Sequence, residues 1–454
     1  MKPFLLLLIS VVFVHGLAAQ TTIEKLAEYM DAVYKAKLFN GVVLVSRNDS
    51  ILFQKGYGWR DYENRIQHDT NSIFRIGSVT KSFTAVVILY LQEHGQLKLT
   101  DNVSKYFPEY KNGDKVIIKN LLTHTSGIIE YSNQVNFFEE LAYKPYTQQD
   151  FWKFIKDEPL NFEPDGEYEY SNSNYFILGY LIEKVTGKPY EQNVREIIFN
   201  KAGMTHSGFD FTHLPTPYKT VGYDELNDSV HTRSRIADSS AAYAAGGIYS
   251  TAGDMYRFHK ALITNSIINQ KSQAEAYTAY QEGYGYGWDI RQWSRGKLVG
   301  HKGGIMGFST MFTRALEDNT CIIAFSNDYS ISADLEKDLN VFAITILQIL
   351  EGISTTYYIP RVAIKSDPAT LPQYTGTYKM DSTIGFNIDV TVKEDHLQAT
   401  FNNGNPYAFY EEKKDFFFTK QSNSQLEFER DANGKIIDVL LYFQKRKVPH
   451  PKIK

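Results

Sequence analysis

The sequence predicts an α+β chain in which one sheet is built from early and late strands around a large helical insertion, and a second, antiparallel β domain closes the chain. Three observations carry this reading. Strand-like runs at residues 41–45 and 51–53 do not recur until residues 297–300, 309–314 and 320–325. Between Ser78 and Tyr280 the apolar positions instead follow a helical period, with Gly, Pro and Asn marking the loops. Beyond Gly352 the pattern changes again, to short runs that alternate every second residue.

The chain has 454 residues, enough for two or three domains at roughly 100–200 residues each. Residues 1–19 read as a secretory signal peptide: Lys2, an apolar run over residues 4–14, then Gly16, Ala18 and Ala19. That run falls short of the about 20 residues a membrane span needs. The sequence assigns residues 20–355 to the first domain. A capping-box pattern at Thr21-Thr22-Ile23-Glu24 starts a helix carrying Leu26, Met30 and Val33 on one face. The domain ends in a helix that aligns Leu335, Leu339, Phe342, Ile346 and Ile349. Residues 356–372, with Ile359-Pro360, Asp367-Pro368 and Leu371-Pro372, read as a linker. Residues 373–454 form the antiparallel β domain, a small barrel or sandwich. Phe386, Ile388, Val390 and Val392 alternate with polar residues, further strands fall at 397–401, 416–418, 426–428 and 436–443, and Asn433-Gly434 suits a hairpin turn. Lys445-Arg446-Lys447 reads as a solvated terminus.

Composition narrows the function classes. Lys+Arg total 48 against 52 Asp+Glu, so there is no basic excess to hold nucleic acid, and no second apolar run suggests a membrane span. Cys321, the single cysteine, sits in the apolar run Cys321-Ile322-Ile323-Ala324-Phe325 and reads as strand filler. The histidines form no H-E-x-x-H pattern or close pair, so neither a metal nor a cofactor is expected.

The candidate chemistry begins at Ser78-Val79-Thr80-Lys81. Gly77 precedes it, and Val79, Phe83, Val86, Val87 and Leu91 follow at helical spacing, which puts Ser78 at a helix N-terminus. There the helix dipole favours a developing alkoxide, and Lys81, three residues on, projects over the same face. A desolvated lysine can lose its proton and serve as a base. Serine and lysine at this spacing also arise by chance on solvated helices, so the pair needs company. Tyr170-Ser171-Asn172 follows a Pro164-Asp165-Gly166 turn and leads into a helical face; a phenol beside a lysine can pass protons, and an amide can hold a substrate carbonyl. His301-Lys302-Gly303-Gly304 follows the strand at 297–300, where paired glycines admit a substrate backbone, and the Gly304 N–H would complete an oxyanion hole with that of Ser78.

These motifs in this order resemble the serine β-lactamase and penicillin-binding family, specifically its class C β-lactamase, D,D-carboxypeptidase and esterase branch, whose motifs are S-x-x-K, Y-x-N and K-T-G or H-x-G. Residues 121–127, 245–250 and 284–288 add secondary likenesses, and the resemblance covers about residues 25–350. It implies a β-lactamase-like fold: a mixed antiparallel sheet flanked by helices, with a helical subdomain and a cleft between, and a small appended β-barrel. It implies an exported, periplasmic or secreted, serine hydrolase that acylates Ser78 with Lys81 and Tyr170 moving protons, while Asn172, His301, Gly303 and Gly304 bind a small peptide, ester or lactam substrate. A second Tyr131-Ser132-Asn133 competes with the first; the turn and helix around Tyr170 favour that site. The Y-S-N and H-x-G forms point toward D,D-peptidases and esterases, with weak β-lactamase activity or non-turnover penicillin binding as alternatives. Lys302 stands where the family carries threonine. It either offers a cation to a substrate carboxylate or, by strand alternation, points away.

Overall fold

The computed structural model describes residues 22–227, 229–332, 338–353, 360–379, 387–402, 404–420, 424–443 and 446–452. The signal-peptide reading, Leu335, Phe386 and the start of the linker reading lie outside these residues. The chain forms two compact units: Phe39–Ala343, and the described residues on either side of it.

The Phe39–Ala343 unit is built on a six-stranded antiparallel sheet. Its strands are β1 (Gly41–Arg47), β2 (Ser50–Tyr57), β3 (Asp289–Trp293), β4 (Gly296–Ile305), β5 (Phe308–Ala315) and β6 (Thr320–Ser326), in the order β2-β1-β6-β5-β4-β3. Early and late strands therefore meet at its centre, with Gly41 opposite Ser326 and Ser46 opposite Cys321. β6 is buried along its whole length, and β1 from Gly41 to Ser46, which is why both read as continuous apolar runs rather than alternating ones: a strand covered on both faces has no polar side to show. Cys321 is a buried free thiol, and burial holds its pKa far above the usual thiol range.

A single 3₁₀ turn, Gly77–Val79, runs into the helix Thr80–Glu93, in which every residue from Thr80 to Leu89 is buried. A helix apolar on all sides belongs at the centre of a domain. It packs against the helices Asn172–Thr186 and Ser239–Gly246, so the insertion between the two sets of strands supplies the helical layer.

One difference from expectation matters for the site. The His301–Gly304 motif does not follow β4 but lies within it, because pairing with β5 continues to Ile305 opposite Phe308. Gly303 serves close approach to the chain itself rather than to a substrate backbone. A Cβ on Gly303 would stand 2.0 Å from the Ile76 carbonyl oxygen, so only glycine lets β4 pass the segment that carries Ser78.

In the other unit, a helix covers residues 22–35, and the last part of the chain is an eight-stranded antiparallel meander. Its strands are Gly376–Lys379, Asn387–Lys393, His396–Phe401, Pro406–Lys413, Phe416–Phe418, Gln425–Arg430, Ile436–Phe443 and Arg446–Pro451, paired in sequence order. A bridge between Tyr378 and Lys452 brings the first strand back to the last, making a nearly closed barrel, which removes exposed sheet edges. Its core is aliphatic and aromatic, including Tyr374, Tyr378, Phe409, Phe417 and Phe428. Three strands were not evident in the sequence, of which Gly376–Lys379 is only four residues long. Pro406–Lys413 carries too many charges to alternate cleanly, and the expected solvated terminus at 445–447 gives way to the strand Arg446–Pro451, since backbone pairing to Ile436–Phe443 is indifferent to the charge of the side chains.

Candidate active site

Ser78 sits in the turn that opens the central helix. Gly77 holds φ at +51°, and a Cβ there would lie 2.9 Å from the Gly304 carbonyl oxygen, so glycine is required on both counts. The turn leaves Ser78 half-buried between the buried Gly77 and Val79. Lys81, one helical turn on, is fully buried. Its Nζ donates to Ser78 Oγ at 3.1 Å, to Asn172 Oδ1 at 2.7 Å and to the Ala245 carbonyl at 2.9 Å.

That triple contact determines what Lys81 can do. Burial depresses its pKa to about 7, an effect that the Glu130 carboxylate opposes. The neutral amine keeps two N–H groups and exposes one lone pair. Asn172 Oδ1 and the Ala245 carbonyl can only accept, so they retain the two protons. Ser78 is the one partner able to donate, and the lone pair therefore faces its hydroxyl, the geometry of a general base 3.1 Å from a nucleophile.

Asn172 is the first residue of its helix. Its backbone N–H donates to Glu130 Oε2, and its Nδ2 donates to Glu130 Oε1 at 3.2 Å. Oε1 also accepts from the Ser132 backbone N–H at 3.2 Å and from the Ser132 hydroxyl at 2.8 Å. Glu130 is thus filled by this clamp, and through Asn172 it fixes the amide that holds Lys81. Nothing local marks Glu130 in the sequence; its significance arises only where the loop after Gly127 meets the Asn172 helix. The faint available signal is its place directly before the second Y-S-N.

Tyr170 lies in the loop before that helix, with Lys81 Nζ 4.8 Å from its ring centroid. Desolvation raises its phenol well above the ordinary value, and a hydrogen bond with Ser78 offsets part of this. More than a third of the residue, 37%, reaches solvent, so the desolvation concerns its hydroxyl end. At neutral pH Tyr170 is a neutral donor. His124 supports the loop: its Nδ1 accepts the Ser171 N–H at 3.2 Å, and its ring lies 4.3 Å from that of Tyr170. Tyr131, by contrast, donates its hydroxyl to the Ala241 carbonyl. Its proton is committed to a group that cannot react.

In β4, His301 is buried and Lys302 exposed. His301 Nδ1 donates to the Lys302 carbonyl, so Nε2 is free to accept from the Tyr284 hydroxyl at 2.9 Å. Burial lowers its pKa, outweighing the nearby Asp289, which leaves a neutral imidazole 6.3 Å from the Tyr170 ring. Lys302 follows the alternation of the strand and forms an ion pair with Asp338 at 3.2 Å. Paired with Asp338, it is not among the residues that line the cavity beside Ser78. Gly303 is buried against Ile76, whereas Gly304 is exposed and lines a cavity together with Ser78 and Asn172. Trp288 is core, packed near Phe258 and Phe312. Among the described residues, no helix is long and apolar enough to cross a membrane.

Known proteins resemble this chain in sequence and in fold. The family model described as Beta-lactamase matches residues 23–344, and a model described as a domain of unknown function, DUF3471, matches residues 360–449. The penicillin-binding-protein-like PbpX of Bacillus subtilis (strain 168) is 36% identical over 309 residues, covering 67% of this chain and 73% of its own. A teichoic acid D-alanine hydrolase of Staphylococcus aureus is 28% identical over 265 residues, covering 56% and 64% respectively. Among solved structures, a D-stereospecific amidohydrolase from Streptomyces sp. superposes with a TM-score of 0.59 at 26% identity, covering 67% of this chain and 94% of that one.

Proposed function

The chain belongs to the beta-lactamase family and is a serine hydrolase, and from that premise we propose that it acts through a covalent acyl-Ser78 on small amide or ester substrates with a D-configured acyl donor. The observation that carries this reading is the contact of Lys81 Nζ with Ser78 Oγ, Asn172 Oδ1 and the Ala245 carbonyl. Ser78 Oγ bonds to the substrate carbonyl carbon while its proton passes to Lys81. The oxyanion forms against the backbone N–H groups of Ser78 and Gly304, a donor pair in which each member is worth roughly 10²–10³ in rate. The bond to the leaving nitrogen or oxygen then breaks, and Tyr170 hands that atom a proton replenished from Lys81. Water attacks the acyl-serine by the same route in reverse, and Ser78 recovers its proton.

Two observations direct the substrate class. The D-configuration is carried over from relatives named as a teichoic acid D-alanine hydrolase and a D-stereospecific amidohydrolase. Lys302 is turned toward Asp338, so the third motif offers no cation to a terminal carboxylate, which favours esterase-like over carboxypeptidase-like action. Read as a secretory leader, residues 1–19 support an activity outside the cytoplasm. A panel of D- and L-alanine methyl esters, a D-Ala-D-Ala peptide and a chromogenic cephalosporin tests the assignment. The D-ester is expected to turn over fastest and Ser78→Ala to lose both turnover and covalent labelling. Preferred cleavage of the peptide would restore a carboxypeptidase, steady cephalosporin hydrolysis a β-lactamase, and stoichiometric acylation without turnover a penicillin-binding protein.

A further inference from the structure

Beside Ser78 lies a cavity of about 310 Å³, at the lower end of the roughly 300–1,000 Å³ typical of ligand sites. Its walls are unlike the rest of the cleft. Tyr131, Phe137, Phe138, Tyr143, Met306 and Tyr329 line it above a floor of alanines that includes Ala241 and Ala242, and no charged side chain is among the lining residues. Apart from the tyrosine hydroxyls, the polar side chains among its lining residues are Ser78, Ser132 and Asn172. Tyr131 turns its hydroxyl to the Ala241 carbonyl and so presents an apolar ring. The Arg235 guanidinium lies 3.5 Å from the Tyr143 ring centroid and donates to the Glu139 carbonyl at 3.0 Å, and Arg235 is not itself among the lining residues. Phe138 is 57% exposed and Tyr329 39%. These are large rings left in water at the border of an apolar hollow, the arrangement expected where a ligand completes their burial.

Which part of the substrate the hollow receives follows from what is missing from its walls. The leaving group must reach the proton donor Tyr170, yet neither Tyr170 nor His301 lines the cavity. Asn172, Gly304, Ile305 and Met306 do, so the hollow opens beside Ser78 without reaching Tyr170.

We propose that this cavity is the acyl-side specificity pocket, and that the preferred substrates carry a bulky apolar, aromatic-sized group on the acyl portion. The inference rests on the acyl-Ser78 reading. It adds the identity of the group transferred. An anionic acyl group would lose its hydration without meeting a lining cation, whereas an aromatic one would exchange water for ring faces.

The test holds the leaving group constant. p-Nitrophenyl acetate, phenylacetate and hydrogen succinate are compared by kcat/KM, each normalised to its rate of hydroxide hydrolysis. The phenylacetyl ester is expected to exceed the acetyl ester by about 10-fold or more, and the succinyl ester to fall below both. Ala242→Leu, which fills the hollow, and Phe138→Ala, which removes an exposed ring without disturbing the core, are each expected to reduce the phenylacetyl-to-acetyl ratio. Equal rates, or a preference for succinyl, would overturn the pocket assignment while continued turnover of the acetate left the acyl-serine reading standing. No turnover of any ester, together with no fluorophosphonate label on Ser78, would overturn both.

Discussion

The cleft around Ser78 and the eight-stranded barrel treat burial in opposite ways. In the barrel, burial is cheap: Tyr374, Tyr378, Phe409, Phe417 and Phe428 fill the interior, and its prominent charges, Asp415 and Arg430, form a bidentate pair with each partner 21% exposed. In the cleft, a fully buried lysine is held by groups that bond its ammonium form, while desolvation drives its pKa to about 7. In the barrel the hydrophobic effect stabilises the fold. The cleft accepts an unfavourable charge burial, and that strain on Lys81 is what makes an amine a base at neutral pH. A chain shows where its chemistry is by where burial costs it something.

The sharpest way to test this contrast is Ser78→Ala, which should lower kcat/KM by about 10⁴-fold or more while leaving the unfolding transition close to the parent's, measured by ester hydrolysis beside denaturant unfolding. Phe417→Ala should do the reverse in the barrel, removing about 3–5 kcal/mol of stability read from the barrel's unfolding transition. Between these extremes lies the pH profile. With Lys81 as base, kcat/KM should rise with pH through about 7. Glu130 favours the charged amine, so Glu130→Gln should move that limb to lower pH; a shift upward, or no pH dependence near neutrality, would remove Lys81 from the role. The same lysine links stability to pH. Its unfolded pKa lies near 10.4, so between about 7 and 10 the unfolded state binds more protons and this group's contribution to stability grows with pH. Its penalty is full below about 7. Smallest of all should be Lys302→Ala. It breaks an ion pair whose lysine side chain is 46% exposed, worth at most about 1 kcal/mol, and should leave KM for a carboxylate-bearing peptide within about 2-fold.

Much of the fold could be read from the sequence where its signals are local. The buried runs at β1 and β6, the helix after Ser78 and the alternation at Ile388, Val390 and Val392 each follow from a period that a few residues display. The strands Pro406–Lys413 and Arg446–Pro451 were hidden because charges and prolines obscure the period while the backbone still pairs. The motif at His301 lies inside its strand rather than after it, because pairing with β5 runs on through the glycines. Their close approach to Ile76 and Gly77 depends on a segment more than two hundred residues away.

The sequence alone determined that Ser78 and Lys81 share one face, because three residues along a helix bring side chains together whatever surrounds them. Only the tertiary structure decided the rest. It gave Tyr131's proton to the Ala241 carbonyl and put Tyr170 in hydrogen-bond contact with Ser78, turned Lys302 toward Asp338, and brought Glu130 to Asn172. Strand alternation specifies that neighbours face opposite ways but not which of them faces the cleft. That choice, like the desolvation of Lys81, belongs to contacts between segments distant in the chain, and no local pattern encodes them.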